Sequence, residues 1–126
     1  MKRKIITQSA PPPIGPYNQG IVAKGTFAFI SGQLPLEGSK LVGDTIGEQT
    51  AQSLKNIKAI LEEGGFTMAD VVKTSVYLKD LNDFAGMNDV YAQFFEGTEY
   101  PARVAFQVAK LPMDVLVEIE AIAVKD

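Results

Sequence analysis

Residues 102–124 read Ala102-Arg103-Val104-Ala105-Phe106-Gln107-Val108-Ala109, then Lys110-Leu111-Pro112-Met113-Asp114, then Val115-Leu116-Val117-Glu118-Ile119-Glu120-Ala121-Ile122-Ala123-Val124. Apolar side chains recur at every second position on both flanks, which predicts two strands, Ala102–Ala109 and Val115–Val124, joined as a hairpin across residues 110–114. Val104, Phe106 and Val108 share one face of the first strand, and Val115, Val117 and Ile119 share one face of the second. The register should bring these two sets to the same side, because a one-residue slip would send one set into water. The opposite side then carries Arg103, Ala105 and Gln107 against Leu116, Glu118, Glu120 and Ile122. A guanidinium and two carboxylates on so apolar a face leave two readings open. The face is buried against another subunit with the charges lining a pocket at the seam, or it holds a solvated cross-strand ion pair worth a few tenths of a kcal/mol.

Outward from this stretch, Val72, Thr74, Val76 and Leu78 alternate with Lys73, Ser75, Tyr77 and Lys79, a half-buried strand over residues 71–78. Between the strands, Phe84, Met87, Tyr91 and Phe94, with Val90 and Phe95 beside them, have helical spacing, and Asn82 or Asp83 can cap the helix they form. An earlier helix shows Ile46, Leu54, Ile57 and Leu61 on one face, opens on the capping box Thr45-Ile46-Gly47-Glu48 and stops at Gly64-Gly65. Asn18–Ala23 and Phe27–Ser31 flank Lys24-Gly25 and predict a second hairpin, followed by a polar, glycine-bearing loop to Asp44. Pro11-Pro12-Pro13 and Gly15-Pro16 predict an extended surface segment. The order is roughly β-β-β-α-β-α-β-β, an α+β fold with two helices covering one face of a single mixed sheet.

The chain has 126 residues, 12 Lys plus Arg against 15 Asp plus Glu, and a formal net charge of −3, which sets one domain and excludes two-domain enzymes with built-in cofactor domains. Hydrophobic residues at 46% and charged residues at 21% are ordinary for a globular chain, and one this long buries roughly two-thirds of its unfolded surface. Cysteine, histidine and tryptophan are absent, so a disulfide framework, a thiolate nucleophile, a Cys/His zinc site and a Ser-His-Asp triad are excluded. Acid–base work falls to Asp, Glu, Lys, Tyr or a bound water. The basic Met1-Lys2-Arg3-Lys4 leads into Ile5-Ile6-Thr7-Gln8-Ser9 without the apolar run of a signal peptide, and no stretch approaches the roughly 20 apolar residues of a membrane span. The expectation is a cytoplasmic protein without a membrane partner.

Gly15-Pro16-Tyr17-Asn18-Gln19-Gly20 has the glycine spacing of a phosphate loop, but Ile21-Val22 stands where Lys and Ser/Thr are needed. Asp80, Asn82 and Asp83 lack the spacing of a calcium loop and are better read as caps. Lys55, Lys58, Lys73 and Lys79 could suggest a nucleic-acid face, but an acidic chain whose helix aromatics fall at core spacing argues for solvated charges and against nucleic acid as a partner. The aromatic stripe of the second helix is read as core rather than as a ligand cage.

Ile14-Gly15-Pro16-Tyr17-Asn18-Gln19, Ile30-Ser31-Gly32-Gln33-Leu34-Pro35, Val72-Lys73-Thr74 through Leu78-Lys79-Asp80-Leu81, and Pro101-Ala102-Arg103 through Leu111-Pro112 to Glu118-Ile119-Glu120-Ala121 closely resemble the reactive intermediate deaminase A (Rid) family. The resemblance runs over essentially the whole chain, in order, as one domain covering residues 1–126. It implies a chorismate-mutase-like fold assembled as a homotrimer, with sheets inward, helices outside and three active sites at the subunit clefts. It also implies a hydrolase that acts on C=N bonds without metal or cofactor. Its substrates would be 2-imino acids such as 2-iminobutyrate and 2-iminopropionate, formed from the enamines that pyridoxal-phosphate dehydratases release, and its products 2-keto acids and ammonia.

By the same resemblance Arg103 holds the substrate carboxylate and Glu118 positions or activates the attacking water; Glu120, on the same strand face, competes for that role, but the family pattern gives it to Glu118. Tyr17 and Ser31 line the pocket, Gly32 offers backbone contacts, and Asn88 lies near the site. Many members have a cysteine two residues after the arginine; Ala105 stands here, which removes any role of that thiol and leaves only backbone contacts to substrate. The familiar Leu-Pro-Lys-Asp turn reads Leu111-Pro112-Met113-Asp114. Two other functions compete with deamination: a regulatory protein that binds keto acids in the same cleft, and an endoribonuclease or translation inhibitor, against which stand the acidic charge and the absence of histidine.

Overall fold

Val71–Leu78, with Val76 and Leu78 fully buried, runs through the middle of a four-stranded sheet and sets the register of its neighbours. In the computed structural model, which describes residues 1–126, the strands are β1 (Lys2–Ile5), β2 (Gly20–Ala23), β3 (Thr26–Gln33), β4 (Leu36–Glu37), β5 (Lys40–Leu41), β6 (Val71–Leu78), β7 (Ala102–Gln107) and β8 (Val117–Lys125). The helices are α1 (Ile46–Glu63) and α2 (Phe84–Phe94). The main sheet has the order β3-β8-β6-β7, antiparallel except for the parallel pair β6–β7. Both helices cover one face of this mixed sheet, so the α+β reading holds. No helix is long and apolar enough to cross a membrane.

The hairpin expected at residues 102–124 does not form. β6 lies between β7 and β8, and Val76 is the ladder partner of both Ala105 and Ile119. The connection passes over the end of β6: Val108 N–H donates to the Leu78 carbonyl at 3.0 Å and Lys79 N–H to the Leu116 carbonyl at 3.0 Å, one on each side. Met113 and Asp114 turn the chain there at φ 57° and 55°.

Pairing through β6 also changes the faces. Thr74, Val76 and Leu78 of β6 point to the helices together with Val117, Ile119, Ala121 and Ala123 of β8, all buried. On β7 the same face carries Arg103 and Ala105, while Val104 and Phe106 turn to the open face with Glu118 and Glu120. Arg103 and the two carboxylates therefore lie on opposite faces, contrary to the hairpin reading. The alternation of β7 puts Ala102, Val104 and Phe106 on one side and Arg103, Ala105 and Gln107 on the other, and pairing with β6 turned the more polar side inward, against the strand's own pattern.

The hairpin around Lys24-Gly25 is likewise replaced. β2 pairs with β1 and β3 pairs with β8, and Gly25 turns the chain at φ +143° against the Lys125 carbonyl, where a Cβ would overlap. Lys2 fastens the β1–β2 ribbon to the sheet by donating to the carbonyls of Ala69, Val71 and Glu99 at 2.8–3.0 Å, which uses all three ammonium protons. Its desolvation there lowers the Lys2 pKa, with Glu99 and Asp70 pulling the other way.

The helices form as their patterns require. Leu54, Ile57 and Leu61 of α1 meet Met87 and Tyr91 of α2 and Phe95 just after it over the sheet, each side chain contributing about 1.5–3 kcal/mol by burial. Both bonds of the capping box at Thr45 and Glu48 are present. The first half of α1 also buries Gln49, whose amide donates to the Gly43 carbonyl and accepts from Leu116 N–H. α2 starts at Asp83 without a side-chain cap bond; Asp80 supplies one instead, to Asn82 N–H in the turn before it.

Candidate functional site

Arg103 comes off the edge strand β7 toward α2, and one turn-spaced row of that helix receives it. Phe84, Met87, Asn88 and Tyr91 follow the i, i+3, i+4, i+7 pattern, and all four touch the guanidinium. Nη1 donates to Asn88 Oδ1 at 2.7 Å, with Met87 Sδ at 3.9 Å. The Cζ atom lies 4.9 Å from the Tyr91 ring centre, 5.2 Å from Tyr17 and 5.5 Å from Phe84, distances suited to cation–π attraction. Tyr17 is brought there by Asn18, whose backbone N–H donates to the Pro101 carbonyl at 3.1 Å and whose amide donates to the Tyr100 carbonyl at 2.7 Å.

This guanidinium has no carboxylate partner. The ion pairs of the structure are Met1 with Asp126, Lys4 with Glu99 and Lys79 with Asp114, all exposed. Burial lowers the Arg103 pKa from its ordinary value, the rings of Tyr91 and Tyr17 offsetting part of that effect, but a guanidinium stays charged at any physiological pH. A half-buried cation with five donors and one amide acceptor has donors left over that a carboxylate could engage through two parallel N–H bonds. The space in front of it, about 330 Å³, is lined by Tyr17, Phe84, Arg103, Val104, Ala105 and Phe106, apolar walls around one charged anchor.

Glu118 and Gly32 meet on the other face of the sheet, with the exposed Ser31 next to Gly32 in the chain. β3 breaks register with β8 between Ile30 and Gln33, and the irregularity brings Gly32 against the Glu118 carboxylate so closely that a Cβ would overlap it. The neighbouring Glu120 is engaged, accepting a 2.9 Å bond from the Tyr77 hydroxyl. Burial and that carboxylate raise the Tyr77 pKa, so the phenol stays protonated as the donor. Strand spacing of about 4.8 Å and a rise of about 3.4 Å per residue place the Arg103 and Glu118 Cα atoms about 14 Å apart, two strands across and three ladder positions along. Within one chain the residues singled out from the sequence thus divide into Arg103, Tyr17, Asn88 and Ala105 on the helix side, and Glu118 with Gly32 on the open side, Ser31 lying beside Gly32 in the irregular stretch of β3.

The sequence reading missed Phe84, Met87 and Tyr91 as neighbours of Arg103. Their spacing was visible, but a stripe that serves the core and a stripe that seats a cation look alike before the arginine is placed. The open face is apolar around Glu118 and Glu120: Phe29 is 74% exposed, with Phe27, Val104 and Phe106 also exposed.

A family model described as Endoribonuclease L-PSP matches residues 7–125. A RutC family protein of Pyrococcus horikoshii is 57% identical over 129 residues that span 100% of both chains. A 2-iminobutanoate/2-iminopropanoate deaminase of Salmonella typhimurium is 47% identical over 128 residues, covering 99% of each. The crystal structure of Escherichia coli TdcF with bound serine superposes with a TM-score of 0.76 at 46% identity, covering 98% of this chain and 99% of that one.

Proposed function

The chain belongs to the Endoribonuclease L-PSP family, which includes RutC family proteins and reactive intermediate deaminases, and from that premise we propose that it hydrolyses small 2-imino acids to 2-keto acids and ammonia. The observation that carries this reading is the half-buried, carboxylate-free guanidinium of Arg103 at the mouth of an apolar pocket. Such a site grips the carboxylate of a short apolar amino-acid derivative and leaves its C2 facing outward. 2-Iminobutyrate and 2-iminopropionate have the required size and charge.

The reaction needs little more. A protonated imine is already electrophilic, so anchoring it, orienting one water and accepting that water's proton suffice. Water oxygen bonds to C2 as its proton passes to the Glu118 carboxylate. Glu118 then returns the proton to the carbinolamine nitrogen, the C–N bond breaks as a lone pair of the hydroxyl oxygen closes the C2=O bond, and the hydroxyl proton passes through Glu118 to the departing ammonia, leaving a 2-keto acid and ammonium. Glu118 suits this role better than Glu120, whose carboxylate is occupied by Tyr77.

Because Arg103 and Glu118 diverge within one chain, the working site is assembled between copies. The Arg103 cluster of one copy meets Glu118 and Gly32 of the next, with Ser31 beside Gly32, in a homotrimer whose open, apolar sheet faces point inward. Such burial would remove Phe27, Phe29, Val104 and Phe106 from water. A cytoplasmic location, where dehydratases release these imines, goes with this activity.

The test is a coupled assay in which a dehydratase generates 2-aminoacrylate or 2-iminobutyrate and keto-acid release is followed. Wild type should accelerate release, and Arg103→Ala should lower kcat/KM by about 30-fold to 1,000-fold, as expected for loss of a bidentate charged contact. A fully active Arg103→Ala protein would refute the site. Saturable keto-acid binding without acceleration would favour the regulatory reading instead. The family's description favours RNA cleavage as a second reading, and rigorously purified protein that cuts RNA only when Arg103 is intact would establish it.

A further inference from the structure

Behind Arg103 lies a pair of hydroxyls that the reaction does not use. Thr74 and Tyr91 are 1% and 0% exposed, and their oxygens are 2.6 Å apart, each the other's side-chain partner. On the helix-facing side of β6 the neighbouring inward positions, Val76 and Leu78, are apolar and fully buried, so a hydroxyl at residue 74 is the exception in that row. Taking two hydroxyls out of water for one mutual bond gains little stability, because apolar side chains of the same shape would fill the space about as well.

The pair has a geometric consequence. Thr74 is the ladder partner of Arg103 in the parallel β6–β7 pair, so the strand that orients the arginine backbone also holds the Tyr91 hydroxyl. The Tyr91 ring is the nearest of the three rings to the guanidinium, 4.9 Å from Cζ, and is fixed at its far end by that bond. One helical turn earlier, Asn88 holds Nη1. We propose that Tyr91, locked by Thr74, is a positioning residue for Arg103: its ring is the floor on which the guanidinium lies, so that Asn88 takes one edge and the other edge is held ready for a carboxylate. Burial pushes the Tyr91 pKa up to about 12, so the floor stays a neutral phenol and never becomes a competing anion.

The proposal rests on the assignment of Arg103 as carboxylate anchor, and its test separates the two. Single variants Tyr91→Phe and Thr74→Val each strand one buried hydroxyl and are expected to lower the melting temperature. The double variant strands neither and should melt close to wild type. A purely structural pair predicts that function returns with stability in the double variant. Positioning predicts that it does not: KM for the imino acid stays raised about 10-fold while kcat changes by less than about twofold, and Thr74→Ser, which keeps the hydroxyl, restores wild-type KM. The chain has two arginines, so the side-chain Nε–H signal of Arg103 can be followed by ¹⁵N relaxation with Arg3 as internal control. In the double variant the Arg103 signal should gain mobility and that of Arg3 should not. Wild-type mobility of Arg103 in a folded double variant would overturn the proposal whether or not the protein turns over imines. Absence of turnover in wild type, with the mobility change present, would overturn the deaminase reading and leave this one standing.

Discussion

Gly32 shows how a residue can be required for what it lacks. Its φ does not lie in the left-handed region, so no backbone strain demands glycine; the demand comes from the Glu118 carboxylate, which occupies the space a Cβ would take. Gly32→Ala must therefore displace that carboxylate or the β3 irregularity beside it. The expected outcome is a fall in kcat of about 10-fold or more with thermal stability little changed, since Glu118 is on the open face and outside the core. Keto-acid release and a melting curve on the same preparation check both halves. Full activity in Gly32→Ala would mean that the placement of the Glu118 carboxylate does not matter to the reaction.

At the scale of elements, α1 illustrates a local signal that tertiary context left intact. Glu48 accepts from Thr45 Oγ1 at 3.0 Å and from the backbone N–H groups of Thr45 and Asp44 at 3.3 Å, while Thr45 Oγ1 accepts from Glu48 N–H at 3.2 Å. Thr45→Ala should cost about 1 kcal/mol in urea denaturation at neutral pH. The Thr45 hydroxyl first, then the two backbone donors, holds the Glu48 pKa below its ordinary 4.5. A carboxyl whose folded pKa is depressed stabilises the fold fully above its ordinary value and loses that contribution as pH falls through the lower folded value. The difference between wild type and Thr45→Ala should thus be constant above about pH 5 and shrink in acid. A gap that does not change with pH would mean the Glu48 half of the box contributes nothing. α2 behaves differently, because one face serves two tasks: Met87 and Tyr91, with Phe95 just after the helix, fill the core, and Phe84, Met87, Asn88 and Tyr91 seat a cation.

At the scale of the whole molecule, the division of Arg103 and Glu118 between two faces makes a prediction that no single chain can satisfy. If each working site takes Arg103 from one copy and Glu118 from the next, then Arg103→Ala and Glu118→Gln proteins are each strongly impaired alone. Mixed by co-refolding, they should regain activity, because a mixed trimer contains an interface at which both native residues meet. About a quarter of the sites should be restored for random mixing, since each of the two residues is native in half the copies. Activity in the mixture no greater than in the separate proteins would place both residues in the same copy's site. Size measurement of the same samples gives the assembly, three times the 13.6 kDa of one chain being expected.

Local pattern alone determined the two helices, the capping box, the strand at residues 71–78 and the apolar, charge-bearing face of the last strand, because 3.6- and 2-residue periods and cap chemistry depend on near neighbours. Composition was legible too: without histidine or cysteine, any acid–base work falls to Asp, Glu, Lys, Tyr or a bound water. Strand pairing was not legible. By its own alternation β7 would bury Val104 and Phe106, and only the interposed β6 decided that Arg103 faces α2 while Phe106 faces outward. Nor could the sequence show that an apolar helical stripe would hold a guanidinium, or that two hydroxyls 17 residues apart would meet behind it. Those are properties of contacts between distant segments, fixed when the sheet closes and nowhere written in the spacing of residues along the chain.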